Sequence, residues 1–196
     1  MMLEKLNPEY RFSSLVRITP EWMHRHQYQV LLTDIDNTLL PRNSSVVPEA
    51  YINWLGRMRK QGIAVVLATN NGGKRTAAIE KQLNDNGLQV PILTWAGKPF
   101  PRAYAGAIHL LDESHLADSF DTVMQPSGVL AAGDQLFTDV LGAHLYNLPA
   151  AWLRPLSQND FIGTKVLRLL EKWVTWYLTK KEIVFMFAHH LNKLMS

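Results

Sequence analysis

Two carboxylates, Asp34 and Asp36, stand two residues apart at the end of an apolar run, Gln29-Val30-Leu31-Leu32-Thr33, and the hydroxyl of Thr38 follows two residues later. Thr69, Lys98 and the pair Asp134 and Asp139 lie farther along, each at or near the end of another apolar run. Together they supply a carboxylate nucleophile, an acid/base, a cation site and groups that bind phosphate. The chemistry implied is phosphoryl transfer through an aspartyl-phosphate.

These residues are useful only if the fold brings them together. Val30 to Thr33 reads as a buried strand, and Ile63 to Thr69 as a continuous apolar strand covered on both faces. Pro91 to Trp95, Gly128 to Gly133 and Ala150 to Leu153 read as three more strands. Helical spacing or turn signals predict helices over Pro20 to His26, Pro48 to Gln61, Gly73 to Asn86, Pro99 to Leu111 and Gln135 to Leu145. Gly62 and Gly87 are the stop signals of the second and third. Thr19-Pro20 gives the first an N-cap followed by proline. No strand can be read in residues 1–28.

Strands alternating with helices predict an α/β fold, three layers around a mostly parallel sheet. Ligands bind such sheets beyond the carboxyl ends of the strands. Asp34, Thr69 and Asp134 fall at three such ends and Lys98 just past a fourth.

The chain has 196 residues, 47% of them apolar, enough for one domain with a real core. We expect a single domain over residues 1–196, with its core at about 28–156 and a C-terminal helical extension at about 160–196. The absence of cysteine excludes disulfides and thiolate zinc sites. A net charge of +3 without a run of like charges gives no reason to expect a nucleic-acid partner. Met1 to Tyr10 lacks the apolar core of a signal peptide, and no apolar window is long enough to span a bilayer. The expected location is cytoplasmic, with peripheral membrane contact allowed.

Other readings of the motifs fail. A calcium loop opening at Asp34 needs Gly and Glu where Leu39 and Ser45 stand. Gly73-Lys74-Arg75 lacks the Ser/Thr and the earlier Gly of a Walker loop. A response regulator carries its acidic pair before the phosphoacceptor, the reverse of the order here.

Asp34-Ile35-Asp36-Asn37-Thr38-Leu39, Thr69-Asn70, Lys98-Pro99 and Gly133-Asp134-Gln135-Leu136-Phe137-Thr138-Asp139 resemble the four motifs of the haloacid dehalogenase (HAD) superfamily. Their wording is similar to that of subfamily IIIA, YqeG-like phosphatases. The resemblance covers about residues 30 to 155. It implies a Rossmann-like HAD fold and a Mg²⁺-dependent phosphomonoester hydrolase. Asp34 would be the nucleophile and Asp36 the acid/base. Asp34, the Asp36 carbonyl and Asp134 would hold Mg²⁺, with Asp139 in support. Asn37, Thr69, Asn70 and Lys98 would bind phosphate, Asn37 through its backbone N–H.

HAD phosphatases commonly carry a cap domain inserted after the first motif or before the lysine. Only Leu40 to Val47 separates the first motif from the next helix, and the third strand leads almost directly to Lys98. No cap domain is expected, and the site should be open to a large or surface-bound phosphomonoester. Some relatives of the YqeG family act on phosphatidylglycerophosphate, which makes phospholipid metabolism the leading expectation. Soluble sugar phosphates, nucleotides or phosphoproteins are the alternative substrates, and a binding or assembly role for a HAD scaffold is the alternative function. The C-terminal helix, with Trp173, Trp176, Tyr177, Lys180 and Lys181, has the composition of a packing helix or of one lying at a membrane surface. Oligomeric state is not encoded in any of these features.

Overall fold

A computed structural model describes residues 4–114 and 128–157. Strands β1 (Tyr10–Phe12), β2 (Val30–Thr33), β3 (Ala64–Ala68), β4 (Ile92–Leu93), β5 (Val129–Gly133) and β6 (Ala150–Leu153) form one sheet in the order β1-β6-β5-β2-β3-β4. All neighbouring pairs are parallel. The helices are α1 (Pro20–Arg25), α2 (Glu49–Lys60), α3 (Lys74–Asp85), α4 (Pro101–Glu113) and α5 (Leu141–Leu145). This is a doubly covered, Rossmann-like α/β fold.

Alternation along the strands divides the core in two. Leu31, Val65, Leu67, Leu130 and Ala132 face one side, where Met23, Trp54, Met58, Ile79 and Leu83 of α1 to α3 pack on them. Val30, Leu32, Val66, Val129 and Ala131 face the other, against Ala103, Ala107 and Leu111 of α4 and Ala143 of α5. Burial on both faces explains why the strands read as unbroken apolar runs rather than alternating ones.

Two features depart from the sequence reading. A sixth strand, β1, pairs Tyr10 with Ala151 and Phe12 with Leu153. It is short, and its residues are half-buried or exposed, so no apolar run announces it. The helix expected over Gln135 to Leu145 is instead a π-helical turn, Leu136–Val140, followed by the short α5. The wider turn begins where Asp139 folds its carboxylate back to the Gln135 N–H, 3.0 Å away.

The connection from β2 to α2 and that from β4 to α4 contain no inserted domain. The C-terminal helix expected from about residue 160 lies outside the described residues, as do its aromatic and lysine side chains. Among the described residues no helix is long and apolar enough to cross a membrane.

Candidate active site

Register builds the site. Thr33 pairs with Leu67 of β3 on one side and with Ala132 of β5 on the other. The three central strands therefore end level, and the residues just beyond them, Asp34, Thr69 and Asp134, meet at one edge. The Asp34 N–H donates to the Ala132 carbonyl at 3.0 Å, which continues the ladder to the motif itself.

Lys98 reaches this edge from the β4–α4 loop. Its Nζ lies 2.7 Å from Asp34 Oδ1 and 2.7 Å from Asp139 Oδ1. Asn70 braces that loop: its Nδ2 donates to the Lys98 carbonyl at 2.9 Å and its Oδ1 accepts the Lys98 N–H at 2.7 Å. Both Asp139 oxygens are engaged, one by Lys98 and one by the Gln135 N–H. Its backbone carbonyl also accepts the Tyr104 hydroxyl at 2.9 Å. Gly133 has to be glycine here, because a Cβ on it would collide with the Asp139 carboxylate.

Asp36 points to a different set of donors. Its Oδ2 accepts Thr69 Oγ1 at 3.0 Å and Asn71 Nδ2 at 2.8 Å. An Arg75 nitrogen, NH1, stands 2.9 Å from Oδ1, within ion-pair distance but not aligned as a hydrogen bond. Arg75 is in turn fixed by Nε donating to the Ser44 carbonyl at 2.8 Å. Asn71 and Arg75 were not singled out from the sequence. Arg75 belongs to the Gly73-Lys74-Arg75 stretch tested only as a Walker loop, and its link to Asp36 spans more than one element.

Asn37 is placed otherwise than expected. Its backbone N–H, assigned to phosphate, donates to the Leu40 carbonyl at 2.9 Å, and its Oδ1 accepts the Ser157 hydroxyl at 2.7 Å. Its φ of 59° marks the turn residue, a conformation asparagine tolerates better than most. The Asn70 side chain likewise holds the Lys98 loop. Thr38 is buried, and its hydroxyl oxygen has no hydrogen-bond partner among the described residues.

Charge is concentrated at this edge. Carboxylate oxygens of Asp34, Asp134 and Asp139 all lie within 4.8 Å of one another. Burial pushes Asp34 up to about 8, against the pull of Lys98 and with help from Asp139 and Asp134. For Lys98, burial alone would favour the neutral amine, but Asp139 and Asp34 outweigh it and hold the lysine charged. One lysine cannot balance three carboxylates. Asp34 Oδ2 is buried without a hydrogen-bond partner among the described residues. An all-oxygen donor set with surplus negative charge and an unsatisfied carboxylate oxygen fits a hard divalent cation such as Mg²⁺. The Asp36 carboxylate is outside this cluster, so only its carbonyl could join.

The site is less open than the short connections imply. Asp34 is 6% exposed and Asp134 fully buried. No inserted domain does this: the site's own cations, Lys98 and Arg75, occupy the carboxylates. A cavity of about 10 Å³ remains beside Asp34, Lys98, Tyr104 and Asp139. That is room for one water at most.

Residues 4–155 match the family model described as mitochondrial PGP phosphatase. The chain belongs to this family. It is also similar to the probable phosphatase YqeG of Bacillus subtilis, at 25% identity over 174 residues, 89% of this chain and 92% of that protein. Among solved structures, a haloacid dehalogenase-like hydrolase from Brucella suis aligns with a TM-score of 0.45 at 13% identity, over 74% of this chain and 98% of that one. A HAD phosphatase from Thermococcus onnurineus aligns with a TM-score of 0.42 at 24% identity, over 59% of this chain and 49% of that one. The family match makes the chain a HAD-type phosphatase, an enzyme that acts on phosphorylated substrates.

Proposed function

We propose that the chain hydrolyses phosphatidylglycerophosphate, a phosphomonoester, with Mg²⁺ and through an aspartyl-phosphate on Asp34. The observation that carries the mechanism is the state of Asp34: one oxygen is fixed by Lys98, and the other is buried without a donor.

Asp34 attacks phosphorus, and the bond from phosphorus to the ester oxygen breaks. Asp36 gives its proton to the departing oxygen. A water then attacks the aspartyl-phosphate and loses a proton to Asp36, which restores the acid and releases phosphate. Lys98 and Thr69 hold the phosphoryl oxygens and offset the charge of the transition state. Asn70 acts through Lys98 by holding its loop. Asp34, the Asp36 carbonyl and Asp134 would hold Mg²⁺, supported by Asp139; when bound, it offsets carboxylate charge and polarises a phosphoryl oxygen.

The lipid substrate is supported by the family's description. The absence of an inserted domain in the β2–α2 and β4–α4 connections agrees with it, since a headgroup carried on a bilayer can then approach the edge of the sheet. The test is turnover by purified protein of phosphatidylglycerophosphate dispersed in detergent, beside a panel of sugar phosphates and nucleotides, with and without Mg²⁺. A clear preference for a soluble phosphate would replace the substrate. Full turnover by Asp34→Asn would remove the mechanism.

A further inference from the structure

We propose that the edge of the sheet bearing the active site docks on an anionic phospholipid surface, with Trp95 and Phe100 as its inserted side chains. The inference rests on the reading of the substrate as a phospholipid. It starts from where the molecule leaves large apolar side chains in solvent. Among the described residues these are Val46, Trp95, Phe100, Leu145 and Leu156. All but Leu145 lie on connections that leave the carboxyl ends of strands: Val46 between β2 and α2, Trp95 and Phe100 between β4 and α4, and Leu156 after β6. In a parallel sheet those connections share one edge, and here it is the edge that holds Asp34 and Lys98.

Trp95 is 72% exposed and Phe100 60% exposed. Neither is left out by looseness. The Trp95 N–H donates to the Asn71 carbonyl at 3.1 Å. Its indole lies so close over Gly72 that a Cβ there would overlap it. Its φ of 52° is a conformation that few side chains other than asparagine or aspartate accept readily. The chain thus accepts backbone strain at a tryptophan left in solvent. Phe100 is the N-cap of α4, with the Arg102 guanidinium 5.7 Å from its ring centre. Between them Lys98 turns inward to Asp34. One loop therefore presents the catalytic lysine to the site and two aromatics to the outside.

The charges on this edge suit an anionic surface. Arg42, Lys74, Arg102 and Arg154 lie on or beside the same connections, with Glu49 at the start of α2. Aromatic side chains at headgroup level with basic residues beside them are the composition of an interfacial site. Docking in this orientation would bring the phosphomonoester of a bilayer lipid to Asp34 without the lipid leaving the membrane.

The experiment uses the full chain, with sedimentation on vesicles of phosphatidylcholine containing or lacking phosphatidylglycerol. The variants are Trp95→Asn with Phe100→Ser, Phe100→Ser alone, and Arg102→Glu. Asparagine suits the positive φ, and serine is a better N-cap than phenylalanine, so both substitutions respect the backbone. The wild type should bind vesicles containing phosphatidylglycerol and not those of phosphatidylcholine alone. The double variant should bind at least tenfold more weakly, and the other two should be weakened less. Turnover of p-nitrophenyl phosphate should stay within twofold of wild type. Equal binding by the double variant, no binding by the wild type, or equal binding to both vesicle types would each overturn the docking surface. In the last case a general apolar surface, such as one for a protein partner, would take its place. Hydrolysis of detergent-dispersed phosphatidylglycerophosphate is scored separately: its failure removes the substrate reading, while vesicle binding still decides the surface.

Discussion

Arg75 and Asp36 form an ion pair across the site, with a guanidinium nitrogen 2.9 Å from the carboxylate. Thr69 and Asn71 hold the other oxygen of the same carboxylate, so the proposed acid/base is fixed from two sides. Arg75→Ala should lower kcat by about 10²-fold through misplacement of Asp36, with a much smaller change in KM. Arg75→Lys should recover only part of the loss, since it restores charge but not the planar fork that reaches both Asp36 and Ser44. Steady-state kinetics on a soluble phosphomonoester measure both effects, and an unchanged kcat in Arg75→Ala would remove this positioning role.

Among the described residues Lys98 is the lone cation within hydrogen-bond reach of Asp34 and Asp139. Lys98→Ala should reduce turnover by about 10²–10³-fold, because the phosphoryl oxygens lose a fixed positive charge. The variant should also be less stable without divalent cation than with it, since three buried carboxylates then face no compensating charge. Thermal melts in EDTA and in Mg²⁺ read the second effect. A wild-type response to Mg²⁺ would argue against Lys98 as the balancing charge.

Asp34 gives a pH dependence with a definite sign. In the metal-free protein its pKa is raised from 3.8 to about 8. Between these values the folded form binds a proton that the unfolded form has released, so stability should fall as pH rises through this window. Asp34→Asn should abolish turnover and flatten that slope. Mg²⁺ should bind more tightly as pH approaches about 8, with release of a proton, because the cation competes with it for Asp34. Calorimetry in buffers of different ionisation enthalpy measures the proton. Affinity independent of pH from 6 to 8 would contradict the assignment.

The edge of the sheet has its own pH signature. Glu9, just before β1, accepts His144 Nε2 at 2.9 Å and the Ala150 N–H of β6 at 2.7 Å. Burial pushes Glu9 up, but His144 and the Ala150 amide hold it below 4.5. Burial pushes His144 down, but Glu9 and the Lys5 carbonyl hold it above 6.5. The Glu9 share of stability is present above 4.5 and fades as pH falls through its lowered value. The His144 share is complete below 6.5 and fades as pH rises through its raised value. Glu9→Gln should therefore cost about 1 kcal/mol, most of it between these limits, after allowance for the exposed side of the pair. Paired melting curves at pH 5.5 and 8.5 check the difference.

The sequence revealed most of what local patterns can carry. Five strands lay in apolar runs, of which β2, β3 and β5 are buried throughout, and glycine or proline bounded most of the helices. The candidate carboxylates and Lys98 were legible because each sits at the end of such a run or just past it. What escaped depends on distant contacts. Strand β1 has only three residues, and its pairing partner lies beyond residue 149. Arg75 and Asn71 converge on Asp36 only because β2 and β3 lie side by side. The burial of the site was missed for the same reason: short connections show that no domain covers it, but not that Lys98 and Arg75 fill the space.

The strand order also fixes when the catalytic edge can exist during synthesis. Asp34, just beyond β2, leaves the ribosome before β3, which follows within forty residues. Its other neighbour, β5, begins only at Val129 and leads into Asp134, and β1 waits longer still for β6 to give it a partner. Until β5 emerges, the nascent chain holds a half-sheet with an unpaired β2 edge and an incomplete set of carboxylates. Pairing of β5 with β2 and assembly of the acidic cluster then go together, in a step set by long-range pairing. A nascent chain halted before residue 129 would have Asp34 and Lys98 but no activity.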